Sequence, residues 1–214
     1  VLAGECTLRE AIVDGPGGIH VVPASSGVQR MAQLSQPEHA GIVHAFSELD
    51  LDIDTLLVDT GAGIAENVMV FCRAAQEIVV VVLDEPASIT DAYALIKVLH
   101  REHGIGTVHI VANMVSDQNH GLRLFRTLAG VVDQFLDVDL RYLGAVPFDD
   151  YLRQAVRARR AVVEAHPLSK TALAMGTLAA NVDGWPQPHI ASGHLEFFVE
   201  RLLGAATPGS HGLV

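Results

Sequence analysis

The chain is poor in cysteine, in lysine and in long apolar runs, and each shortage removes a class of protein. Only Cys6 and Cys72 occur among its 214 residues. Two thiols cannot build the disulfide framework of a small secreted domain, and they suit a reducing cytosol. The longest uninterrupted apolar run, Ile78 to Leu83, has six residues, whereas a membrane-spanning helix needs about 20. No cationic segment leading into an apolar one opens the sequence, so no secretory signal is expected. Lysine appears only at Lys97 and Lys170, and no G-x-x-x-x-G-K-[ST] loop occurs anywhere. A net charge of −11 argues against broad, non-specific nucleic-acid binding, because a phosphate backbone would be repelled.

What is present is a rich supply of apolar residues, half of the chain, in runs that alternate with amphipathic stretches. Residues 19–22, 55–59, 77–83, 107–115 and 140–147 read as strands. The run at 77–83 has no polar alternation, as expected of a strand covered on both faces. Helical spacing marks 37–49, 65–75, 86–104 and 121–136, with a further helix starting at Tyr151 and running through "YLRQAVRARRAVV". Pro86 stands near the start of its helix and Gly104 past its end, where each residue type is favoured. Alternating strands and helices predict parallel β-α units in a three-layer, doubly wound α/β sheet. One domain over 1–190 is expected, followed by a C-terminal helix and tail over 191–214. That final helix, "HLEFFVERLLG", is expected to pack through Leu195, Phe198 and Leu202. Its charged residues, Glu196, Glu200 and Arg201, do not make the cationic face of a membrane-surface helix.

In such sheets ligands sit at the carboxyl ends of strands. The chain places small, acidic or amide residues there: Pro23 to Gly27, Asp59 to Gly63, Asp84 to Pro86, Asn113, and Pro147 to Asp149. A strand-end aspartate can hold a metal-bound water. Gly61 and Gly63 let the backbone approach a phosphate, and an asparagine offers both a donor and an acceptor for a base edge. Any one of these is ordinary loop chemistry; the ordered set is what points to a nucleotide. His100 and His103 stand three apart on a helix, but no third ligand completes a metal pattern. Ser25 and Ser26 form no nucleophile elbow, and no G-x-G-x-x-G follows a strand. Arg153, Arg157, Arg159 and Arg160 form a cationic run, read either as a solvated face or as a partner or dimer contact.

The blocks "LLVDTGAGI", "EPASITDAYALIK", "VANMV" and "LGAVPFDDYLRQAVRARRAVVEAHPLSKTALAM" resemble successive segments of the MinD/ParA class of deviant P-loop ATPases, within it most of all the flagellar-number regulators FlhG and FleN. The resemblance covers nearly the whole chain. It implies a P-loop NTPase-like (SIMIBI-type) fold, ATP and Mg²⁺ as cofactors, and a cytosolic ATPase that dimerises around ATP. It also implies a membrane or protein partner, in the flagellar branch a GTPase and in some bacteria a transcriptional activator. By the resemblance, Asp59 is the acid of the second switch region, linked to Mg²⁺ through water, and Gly63 is its switch glycine. Asn113 is the adenine-contacting amide, and Pro147, Phe148 and Asp149 lie in the loop beside the base. The family's phosphate loop, the strand before it and the first-switch acid have no counterpart in these residues, so the chain is expected to be the later part of an FlhG-like protein. Such a piece would be inactive alone, with its apolar sheet edge open or covered by a neighbour. The alternative class is a non-catalytic α/β scaffold that presents helices to a partner without using nucleotide.

Overall fold

The computed structural model describes Val1, residues 5–23, positions 41, 44–46, 48, 49, 51, residues 53–185, Val199 and residues 201–203. The chain divides into two compact units, residues 1–75 with 188–214 and residues 76–187, and each is described by itself.

In the first unit, helix α1 (Leu8–Ala11) is closed by a capping box in which Thr7 and Glu10 satisfy each other's backbone N–H groups. Strands β1 (Val13–Asp14) and β2 (His20–Val21) pair antiparallel through a turn at Pro16–Gly18. The expected strand at 19–22 is therefore half of a short hairpin and not a member of a parallel sheet. The expected helix at 37–49 and the serines at 25 and 26 fall mostly or wholly outside the described residues. Helix α2 (Glu66–Ala74) buries Val70 and Ala74 against Leu202, so one of the C-terminal segment's expected core residues is where its spacing puts it. Leu195 and Phe198 lie outside the described residues.

Segment 55–59 departs from expectation. It forms no ladder, and Leu57 is 89% exposed. An apolar, strand-like composition reports what a segment would bury once paired; without a neighbouring strand to take its N–H and C=O groups it does not become a strand.

The second unit is a parallel three-stranded sheet in the order β3 (Val79–Leu83), β4 (Thr107–Val115), β5 (Asp139–Pro147). Helices α3 (Pro86–His103) and α4 (Gln118–Phe135) make the β-α crossovers that parallel neighbours require. Helix α3 ends where Gly104 takes a left-handed conformation, φ 68°. There the N–H groups of Gly104 and Ile105 close on the carbonyls of His100 and Leu99. Helix α4 turns Gly121, Leu124, Leu128 and Val132 inward at three- and four-residue spacing. Beyond β5, α5 (Asp150–Arg157), α6 (Val162–Ala165) and α7 (Lys170–Asp183) complete the unit. The single helix expected from Tyr151 is two, because Arg159 adopts a left-handed φ of 54° and breaks it.

Helix α7 lies on the sheet face opposite α4. Leu178, Val182 and Trp185 pack on Val111, Leu143 and Val146, whereas Gly121 of α4 faces Ala112 and Ala145. Helices on both faces make the three-layer α/β arrangement expected from the sequence. The exception is β3. Val79 and Val81 pair with His109 and Val111, and so lie on the α7 face, yet they are 42% and 58% exposed. Among the described residues of this unit, the apolar run Ile78 to Leu83 is thus covered on one face only.

The tightest helix–sheet approach is at Gly121. A Cβ there would stand 2.5 Å from the Ala145 Cβ and 2.7 Å from the Tyr142 hydroxyl. That hydroxyl is buried and has no hydrogen-bond partner among the described residues, and burial pushes its pKa up. Gly121→Ala should therefore destabilise the protein by about 1–3 kcal/mol through overpacking. Tyr142→Phe, which removes an unsatisfied hydroxyl, should leave stability unchanged or raise it. Urea unfolding of both variants checks the pair; a strongly destabilised Tyr142→Phe would show that the hydroxyl has a partner.

Candidate functional site

In the second unit the carboxyl ends of β3, β4 and β5 carry Asp84, Asn113 and the Pro147–Asp149 segment. The ladder sets them side by side: Leu83 pairs with Asn113, and Asn113 with Val146. The β4–β5 register then slips between Asn113 and Val115, so that Val115 pairs with Pro147 and Met114 is the extra residue. Met114 takes a left-handed φ of 55°, unusual for a residue with a side chain. A bulge of this kind re-aims the side chains next to it and is common beside functional sites. Here it turns the backbone so that the Met114 N–H donates to the Asn113 Oδ1 at 2.9 Å. Asn113 is half-buried, and among the described residues its amide nitrogen has no partner. It can donate to a ligand at the strand ends.

Proline 147 closes the strand, and the Phe148 N–H donates to the Val115 carbonyl at 2.9 Å, pinning the loop against the end of β4. The Phe148 ring is exposed and can lie against a flat ligand. Asp149 uses both carboxylate oxygens. Oδ1 accepts from the Tyr151 N–H at 3.0 Å and caps α5; Oδ2 accepts from the Thr171 N–H at 3.1 Å at the start of α7. The Thr171 hydroxyl donates to the Pro147 carbonyl at 3.3 Å. The Thr171 N–H bond is the main reason the Asp149 carboxyl is held below the ordinary aspartate range. Asp149 is thus committed to fixing the loop between two helix starts.

A residue that the sequence reading passed over joins this rim. His120, in the first turn of α4, places Nε2 2.7 Å from the Asp84 Oδ2. Its Nδ1 accepts from the Ser116 N–H at 3.2 Å. With Nδ1 accepting from the backbone, Nε2 is the nitrogen left to donate to Asp84. His120 therefore ties the end of β3 to the turn that follows Asn113. Asp117 caps α4 by accepting from the His120 N–H at 2.8 Å, and this bond holds its carboxyl below the usual range. The only signal in the sequence was a strand-end Asp84 and a histidine three residues past an N-cap, a pairing that needs the fold to bring it together.

Asp59 and Gly63 belong to the first unit. Asp59 is exposed on the irregular segment and not at the end of a buried strand as expected. Gly63 takes a φ of 97°, a conformation open to glycine and strained for a residue with a Cβ. No group of three or more His, Cys, Asp or Glu side chains among the described residues could hold a metal; His100 instead places Nδ1 3.2 Å from the Ile105 carbonyl. No helix among the described residues is long and apolar enough to cross a membrane.

Comparison with solved structures defines the class first. The chain is similar to a septum site-determining protein MinD, complexed with Mg-ADP, from Pyrococcus horikoshii (TM-score 0.59, 21% identity, 86% of this chain and 71% of that one). It is likewise similar to MinD of Aquifex aeolicus (TM-score 0.59, 19% identity, 87% of this chain and 74% of that one). The fold is that of MinD. In sequence, the chain is 51% identical over 210 residues to the antiactivator FleN of Pseudomonas aeruginosa, across 98% of this chain and 75% of FleN. It is 31% identical over 160 residues to the flagellum site-determining protein YlxH of Helicobacter pylori, across 74% of this chain and 54% of YlxH. No family model matches. The chain belongs to the MinD/ParA-type ATPase family, in its FlhG/FleN branch.

The Asp149 geometry has a stability consequence. Because its folded-state pKa is depressed, its contribution is present above the unfolded value of about 3.9 and is lost as pH falls through the lower folded value. Asp149→Ala should lower stability at neutral pH by about 0.5–2 kcal/mol, the cost of a lost N-cap. It should also flatten the fall in melting temperature below about pH 4. A pH series of thermal melts on both proteins measures this; parallel acid limbs would mean that Asp149 does not contribute.

Proposed function

We propose that this chain is the second-switch and adenine-side part of an ATP-dependent molecular switch that regulates flagellar number and placement in the cytoplasm. The observation that carries the reading is the 51% identity to FleN over 98% of the chain. The neighbouring strand ends that bear Asn113 and Pro147–Asp149 support the base side. In this reading Asn113 hydrogen-bonds the adenine edge while Phe148, framed by Pro147 and Asp149, lies beside it. Asp59 holds Mg²⁺ through its water shell, and Gly63 lets the second switch move with the phosphate. ATP drives homodimerisation, and the partners are a flagellar GTPase and, consistent with FleN's name as an antiactivator, a transcriptional activator.

The residues present fit one side of a bound nucleotide. A half-buried amide with free donors and an exposed ring suit a base. Nothing in the 214 residues supplies the lysine loop that would cradle the β- and γ-phosphates. Mg²⁺ in such a site neutralises charge that develops on the transferring phosphoryl group. The chain as it stands therefore positions a base and carries a switch; it does not hold a triphosphate in place for attack.

This chain should show no measurable ATP hydrolysis and no more than weak, Mg²⁺-dependent nucleotide binding. Its half-covered β3 should favour self-association. Calorimetry with Mg-ATP beside size-exclusion chromatography tests both; micromolar affinity would reveal a phosphate cradle built from other residues. In a version carrying a phosphate loop upstream, Asp59→Ala should slow turnover with little effect on ATP affinity. Asn113→Ala should weaken ATP binding roughly five- to hundred-fold, as expected for about 1–3 kcal/mol of unpaired polar groups. Equal wild-type affinity for ATP and GTP would argue against base reading by Asn113.

A further inference from the structure

Four of the chain's 14 basic residues, Arg153, Arg157, Arg159 and Arg160, fall within eight positions that contain no acid. All four are exposed. Arg153 reaches Asp150 at 3.9 Å; among the described residues the other three have no carboxylate partner. Their placement is fixed by the backbone. Helix α5 ends in a turn where the Arg159 N–H donates to the Val156 carbonyl and the Arg160 N–H to the Ala155 carbonyl, both at 3.0 Å. Arg159 is held there in its left-handed conformation, so its side chain leaves a defined corner and not a free loop.

The same stretch of chain exposes apolar side chains. Val156, between Arg153 and Arg157 on the outward side of α5, is 65% exposed, and Leu168 is 86% exposed. Tyr151, half in solvent, rests on the His166 ring at 4.7 Å between centroids. Exposed aliphatic side chains beside unpaired guanidinium groups are unfavourable in water and useful at an interface, whose core favours apolar and aromatic groups with arginine.

We infer that the α5–α6 corner is a docking surface for a protein segment that interleaves Asp or Glu with apolar residues. Guanidinium forks match carboxylates two bonds at a time, and the exposed Val156 between Arg153 and Arg157 matches the same segment's Leu, Val or Phe. The net charge of −11 makes a long polyanion a poor occupant, because the rest of the surface would repel it. A short protein segment brings its negative charge only to the corner.

The test is fluorescence anisotropy on the full chain with four probes. These are a labelled helical peptide with Glu on one flank and Leu beside it, a scrambled peptide of equal composition, phosphatidylglycerol vesicles and a DNA duplex. The ordered peptide should bind, more weakly as salt rises. The double variant Arg157→Glu/Arg160→Glu should bind it about tenfold less tightly, and Val156→Ser should weaken it separately. Arg157→Lys/Arg160→Lys, which preserves charge and should preserve the fold, is expected to lose affinity by a smaller factor. Equal binding of the scrambled peptide would overturn the proposal by reducing the corner to a non-specific charge. Indifference to arginine reversal in a protein with an unchanged melting temperature would also overturn it. So would tighter, arginine-dependent binding of vesicles or DNA.

Discussion

Strand β4 is the constraint on which the second unit rests. It is the one strand of this sheet with a partner on each edge, and its residues from Val108 to Ala112 are all buried. Every other element is placed by reference to it. Helix α4 sits close because Gly121 leaves room above Ala112, and α7 is anchored on the opposite face through Val111. Even the polar exception is accommodated: the buried His109 ring places Nε2 3.0 Å from the Glu77 Oε2 and rests against Trp185. A buried polar group without such partners would cost stability.

The same strand builds the candidate site. A run of nine residues in regular register would carry Asn113 to the rim and stop. The irregularities at Leu143 and Met114 break that regularity on both sides of the site, so that the ends of β4 and β5 finish together and the Pro147–Asp149 loop closes beside the amide. Around it, capping groups double as braces. Asp117, Asp149 and Ser169 each satisfy the start of a helix with a side chain, and Asp149 joins two of those starts. The rim is positioned by groups whose first task is to satisfy backbone N–H donors.

Much of this was legible in the residues. Strand 107–115 and helix 86–103 follow from β-branched composition and from Pro86 and Gly104, because those signals are local and their partners are present. The strand-end positions of Asn113 and Pro147 were legible too, from the apolar runs that precede them. Three features were not. The segment at 55–59 has strand composition, but pairing is a property of two segments and is invisible in one. The break at Arg159 was hidden because arginine is a good helix former, and nothing in "VRARRAV" marks a left-handed residue. The bond between His120 and Asp84 spans two β-α units, and its geometry exists only once both are folded.

The contact between His109 and Trp185 gives the protein a reporter of its own. Trp185 is the chain's single tryptophan, and its ring lies 4.2 Å from an imidazole on the central strand, just past the end of α7. Indole emission from this molecule therefore comes from one seam. Its wavelength and quenching read whether the last turn of α7 is seated on the sheet, independently of the tyrosines and of any added label. Loosening of that helix would register as a red shift before the rest of the sheet came apart.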